Sequence, residues 1–171
     1  MWWSDPGRRA ALRTLTALTA ASGLGLAGCG FELRRPPKMA FGRIALTGFA
    51  PRSLLAEQFR RELSQQVLVL ETPDRAEVVL QALDDVRERS VVASTSAAQV
   101  RELQLRLKFN FRAHTPAGRE LIPRAELLLT RDLSYSETFA LSKDLEEAEL
   151  FREMQGDVVV QVLRRLAAVR V

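Results

Sequence analysis

Leu103-Gln104-Leu105-Arg106-Leu107-Lys108-Phe109-Asn110-Phe111 is the stretch that decides the fold. Leucine or phenylalanine holds every odd position and a polar residue every even one, and Glu102 and Arg112 continue the polar set at both ends. Successive side chains of a strand point to opposite faces, so this period of two predicts a strand with one apolar face and one wet face. A sheet of such strands needs cover on one side only.

Outward from this strand, Thr115-Pro116-Ala117-Gly118 reads as a hairpin turn, and Glu120 to Tyr135 returns with Ala125, Leu127, Leu129 and Leu133 on a common face. Upstream, Ala76 to Val92 reads as a strand that is apolar at Val78, Val79 and Leu80 and charged from Asp84 to Arg89. Arg43 to Thr47 is a shorter one, with Ile44 and Leu46 on one side. Gly48 and Pro51 punctuate a turn, after which Ser53 caps a helix whose Leu55, Phe59 and Leu63 recur at spacing four. Val67 to Leu70 then extends the chain towards a Pro73-Asp74 turn. A last helix follows Ser142 as N-cap, with Phe151, Met154, Val158, Val162, Leu166 and Val169 at spacings of three and four. Asp144, Glu146 and Glu147 sit near its positive dipole end, and Arg164, Arg165 and Arg170 near its negative end. The expected fold is α+β: a two-layer sandwich with two helices on one face of a four-stranded, mostly antiparallel sheet, in the order β-α-β-β-β-α.

The chain has 171 residues, 47% hydrophobic and 27% charged, which suits one compact domain. One cysteine excludes an internal disulfide framework, and one histidine excludes a multi-histidine metal site. His114 beside the hairpin turn and Ser134-Tyr135-Ser136 at a strand end have no triad partners, so hydrolase chemistry is disfavoured and neither a cofactor nor a metal is expected. The formal charge of +4 is too small for the basic footprint of a nucleic-acid binder.

The N-terminus carries an address. Arg8, Arg9 and Arg13 precede an uncharged run from Thr14 to Leu26 that leads into small residues, the order of a secretory signal. The run is cut by Thr16, Thr19, Ser22, Gly23 and Gly25 and is short for a membrane span. Leu26-Ala27-Gly28-Cys29 resembles the lipobox of bacterial lipoproteins, which makes Cys29 the lipidation site and residues 1–28 a signal peptide. Several acyl chains on one residue suffice for stable anchoring. Gly30 after the cysteine resembles lipoproteins sorted to the outer membrane. Residues 29–42, with Arg34-Arg35-Pro36-Pro37-Lys38, read as an extended lipidated tether, and 43–171 as the single αβ domain.

Cys29-Gly30-Phe31-Glu32-Leu33-Arg34 resembles the segment after the acylated cysteine in the LptE family of LPS-assembly lipoproteins. The stretches Ala140-Leu141-Ser142-Lys143-Asp144, Arg152-Glu153-Met154 and Leu163-Arg164-Arg165-Leu166 resemble that family's last helix. The resemblance implies an outer-membrane lipoprotein that plugs the lumen of the LptD β-barrel, helps to assemble it, and serves lipopolysaccharide transport to the outer leaflet without catalysis. It also implies that Lys143 contacts lipopolysaccharide. A second basic position of the family is occupied by Ser96.

A binder of lipopolysaccharide phosphates should offer Arg or Lys donors, and Arg101, Arg106, Lys108 and Arg112 lie on or near the wet face of the alternating strand. The same residues also suit an ordinary solvated face balanced by Glu102, Glu126 and Asp132. A second functional reading is an auxiliary lipoprotein of an ABC-type phospholipid transport system, which shares a lipobox and a similar domain.

Overall fold

The computed structural model describes residues 38–170 except 97, 98, 137 and 139. Residues 1–28, expected as a signal peptide, Cys29, and most of the expected tether 29–42 therefore lie outside the described residues. The described elements are β1 (Arg43–Thr47), α1 (Leu54–Leu63), β2 (Leu68–Leu70), a 3-10 turn (Pro73–Arg75), β3 (Val78–Ser94), β4 (Val100–His114), β5 (Glu120–Ser134) and α2 (Ala140–Ala167).

The sheet has five strands in the order β2-β1-β3-β4-β5. β1 runs parallel to both β2 and β3, while β3, β4 and β5 form an antiparallel meander. The expectation of four mostly antiparallel strands is thus corrected to a five-stranded mixed sheet. The missed strand is the three-residue β2, too short to display a period of two, and it pairs through Arg43↔Leu68 to Ala45↔Leu70. α1 supplies the crossover that a parallel pair requires. The last helix also starts earlier than expected, so Ser142 is its third residue rather than its cap.

The alternation of β4 sets the core. Leu105, Leu107, Phe109 and Phe111 are fully buried, in one cluster with Leu55, Phe59 and Leu63 of α1 and with Met154, Val158, Val162 and Leu166 of α2. Both helices therefore cover the same face. Phe109 sits among Phe49, Phe59 and Phe111 at centroid separations of 6.0, 5.8 and 5.4 Å. The other face is not uniformly wet, because Ala45, Ala76 and Val79 form a small second cluster and Asn110 is 3% exposed, its amide donating to Asp84 at 2.7 Å. Among the described residues, the buried core runs from Phe41 to Val169, within the compact unit Pro37–Val171.

A β-bulge between Ala82 and Asp84 lies where β3 changes from apolar to charged. Beyond it, Asp85, Arg87 and Arg89 come into register with Phe109, Leu107 and Leu105, on the helix-covered side. Their charges serve the helices. Asp85 accepts a 2.9 Å hydrogen bond from the Ser53 hydroxyl, whose oxygen in turn accepts the Ala56 N–H to cap α1. The Arg87 guanidinium lies 5.5 Å from the Phe151 ring centroid, and Arg89 pairs with Glu147 at 3.1 Å.

Glu77 fastens the start of β1. Its carboxylate accepts the Gly42 N–H at 2.8 Å and pairs with Arg43 at 3.1 Å. The Gly42 hydrogen bond first, and Arg43 after it, hold this carboxyl below its usual pKa against the opposing effect of desolvation. The clamp is therefore complete above the ordinary carboxylate pKa and is lost as the pH falls through the lowered one.

Candidate functional site

The five basic residues singled out for lipid contact do not converge. Arg106, Lys108 and Arg112 lie on the face of β4 opposite the two described helices, at even positions that span about 20 Å of strand. Arg106 donates from Nε to Gln104 at 2.8 Å, and Arg112 donates from Nε to Gln81 at 2.7 Å. Lys108 stands between Val86 and Leu128 of the neighbouring strands, and Glu88 faces Arg106 in register. This face is a ladder of spaced cations, with polar partners at Arg106 and Arg112 and apolar neighbours at Lys108.

Arg101 and Lys143 belong to the far end of the domain, where β3 and β5 finish and β4 and α2 begin. The Arg101 carbonyl accepts the Tyr135 N–H at 2.8 Å, and Arg101 lines a cavity of about 140 Å³ with Gln99, Ser136 and Thr138. The Lys143 ammonium donates to the Ser134 hydroxyl at 3.2 Å and to Glu146 at 2.7 Å. Its side chain is mostly covered, so the charge is held at a fixed place rather than free in solvent. The backbone link between Arg101 and Tyr135, next to Ser134, brings these two cations to one end.

That end is also apolar on its surface. Leu141 is 78% exposed and Leu145, one helical turn on, is 70% exposed; Val91 and Val92 near the end of β3 are exposed too. Sequence reading missed Leu141 and Leu145, because their spacing of four is what a core stripe would show. Only the end of the cover distinguishes them: α1 is ten residues long and stops short of this part of α2.

A second basic group was also missed. Arg119, Arg165 and Arg170 line one open cleft of about 330 Å³ at the opposite end, together with Glu120, Ile122 and Val169. Arg165 and Arg170 look in sequence like complements of the helix dipole, and nothing there signals that Arg119, on the β4–β5 turn, joins them. His114 is half-buried with Nδ1 2.8 Å from the Thr115 carbonyl oxygen, a structural contact of the same turn.

Comparison with known proteins agrees with this architecture. The family described as LptE, lipopolysaccharide-assembly, matches residues 41–166. An LPS-assembly lipoprotein LptE from Photorhabdus laumondii subsp. laumondii is 28% identical over 160 residues, covering 92% of this chain and 87% of its own. Among solved structures, lipoprotein B from Nitrosomonas europaea matches with a TM-score of 0.70 at 28% identity, covering 81% of this chain and 91% of that one. A minor lipoprotein from Acinetobacter baumannii shares the fold at a TM-score of 0.62 and 21% identity, over 76% of this chain and 93% of that one. The family match extends over nearly the whole described domain, from the start of the core to the last turn of α2, and on that ground the chain belongs to the LptE lipopolysaccharide-assembly family.

Proposed function

We propose that this chain is an outer-membrane lipoprotein, anchored through Cys29, that plugs and helps to assemble an LptD-type β-barrel for lipopolysaccharide transport to the outer leaflet. The observation that carries this reading is the family match over residues 41–166. Its role is binding and assembly rather than catalysis. The domain sits on the periplasmic side or within the barrel lumen. The match gives no support to the reading as an auxiliary subunit of a phospholipid transporter.

The physical features suit a protein that works by surface contact. Exposed Leu141, Leu145, Val91 and Val92 offer apolar area at the end where Lys143 and Arg101 are held, and such patches mark interaction sites. A phosphorylated lipid meets there a cation with fixed position beside apolar side chains, the combination that a phosphate and an acyl chain require. Arg106, Lys108 and Arg112 form a second, more open contact surface for the same ligand.

Co-purification tests the partner: the detergent-extracted protein should carry a large outer-membrane barrel, and a transporter complex in its place would overturn the assignment. Cys29→Ser should abolish incorporation of labelled fatty acid, because the thiol is the acceptor for the diacylglyceryl group. Label persisting on that variant would remove the lipid anchor at this residue.

Lys143→Glu tests the ligand contact. It replaces a charge-assisted donor by a carboxylate three residues from Glu146 and should weaken lipopolysaccharide binding at least about tenfold, or about 1.4 kcal/mol. Co-purification of the barrel should hardly change, since one charge contributes little to a large interface. Unchanged binding would remove Lys143 as a ligand residue, whereas lost co-purification would place it in the protein interface.

A further inference from the structure

We infer that the arginine cleft at the start end of the domain seats the phosphodiester headgroup of an anionic phospholipid and so docks this end on the lipid surface. Three arginines meet there from two segments, the β4–β5 turn and the C-terminal end of α2 with the residues just after it. Arg119 is fixed by the β4–β5 turn, in which its carbonyl accepts the Thr115 N–H at 2.8 Å and its own N–H donates to the Thr115 hydroxyl at 3.1 Å. Arg165, in the last turn of α2, has its guanidinium 5.6 Å from the Phe111 ring centroid. Arg170 follows Val169, which is buried and donates its N–H to the Leu166 carbonyl at 3.1 Å.

All three line the same cleft of about 330 Å³, and among the described residues Glu120 is the single carboxylate on its wall. None of the three forms an ion pair among the described residues. The helix dipole accounts for a cation at position 165 but not for one contributed by a hairpin turn. Like charges brought together at such a place call for an anion, and guanidinium forks match phosphate oxygens. Ile122 and Val169 on the same wall give the glycerol portion an apolar contact.

Topology selects the membrane as the source of that phosphate. Ile44, Val78, His114 and Glu120 lie in adjoining register across the sheet, so the cleft is at the end where the chain enters β1. It lies three strand spacings, about 14 Å, from that entry. Cys29 is fourteen positions before Arg43, a reach of at most about 50 Å. This step rests on the reading of Cys29 as the acylated residue.

The test uses the domain from Pro37 onward, which lacks Cys29, so its failure is distinct from a failure of the fatty-acid labelling. Sedimentation with vesicles of phosphatidylglycerol and phosphatidylcholine in equal parts, at low ionic strength, should give binding at least about tenfold above phosphatidylcholine alone. Combined Arg119→Gln, Arg165→Gln and Arg170→Gln should remove that excess with little change in melting temperature. Combined Arg61→Gln, Arg124→Gln and Arg152→Gln, an equal loss of charge elsewhere, should retain it. Equal loss in both triple variants, no preference for phosphatidylglycerol, or binding of inorganic phosphate without binding of vesicles would each overturn the inference.

Discussion

Phe109→Ala is expected to destabilise the domain by about 3 to 5 kcal/mol, a large share of the stability of a domain this size. The ring is fully buried and in contact range of three other phenylalanines, one each from the loop before α1, α1 itself and β4. Its removal leaves a cavity at the junction of sheet and helix, where neither layer can close the gap without moving the other. Lys108→Ala, at the next position on the opposite face, should cost under about 0.5 kcal/mol. Thermal or denaturant melts of the two variants measure the contrast. If Lys108→Ala proves as damaging as Phe109→Ala, the assignment of faces on β4 is wrong.

That contrast was legible in the sequence because a strand's period of two needs nothing but the strand. The same holds for the α1 stripe of Leu55, Phe59 and Leu63, and for the long stripe of α2. Legibility failed where an element is defined by its partner. Leu68–Leu70 is a strand because β1 lies beside it, and three residues carry no periodicity of their own. The second half of β3 reads in sequence only as charged, with no face assigned, whereas the bulge after Ala82 turns Asp85, Arg87 and Arg89 towards the helices. One added residue exchanges the two faces, and no local pattern marks that residue.

The site divides in the same way. The proposal for Cys29 rests on a signal that is linear: charge, apolar run, small residues, cysteine. Lys143 is legible through a resemblance, but its partners Ser134 and Glu146 come from a strand end and a helix turn that only the fold brings together. The group of Arg101, Arg106, Lys108 and Arg112 looked like one patch in sequence, and strand geometry separates it. Arg101 goes to the end that holds Lys143, and the others go to the face opposite the two described helices. Arg119 is far in sequence from Arg165 and Arg170, and only the fold places the β4–β5 turn on the same cleft as the end of α2.

Gly48→Ala should cost about 2 to 5 kcal/mol, for two reasons that add. Gly48 has a φ of +76°, a region that L-residues enter at a cost of roughly 1 to 2 kcal/mol. A β-carbon there would also lie 2.1 Å from the Ala82 carbonyl oxygen, a backbone atom that cannot rotate aside. This contact lies where β1 leaves the sheet: Thr47↔Gln81 is its last pair with β3, and the bulge after Ala82 follows at once. To admit the methyl group, β1 must slide or β3 must shift its bulge, and either movement disturbs Phe49 against Phe109 and Ser53 against Asp85. Gly118→Ala separates the two causes. It too has a positive φ, +89°, but nothing lies within 4 Å of its added β-carbon, so it should cost only about 1 to 2 kcal/mol. Denaturant melts give the totals, and hydrogen exchange gives the location, with faster exchange expected in β1 and the first turn of α1 for Gly48→Ala alone. Equal losses for the two variants would mean that backbone conformation, and not the close approach to β3, is what requires glycine at position 48.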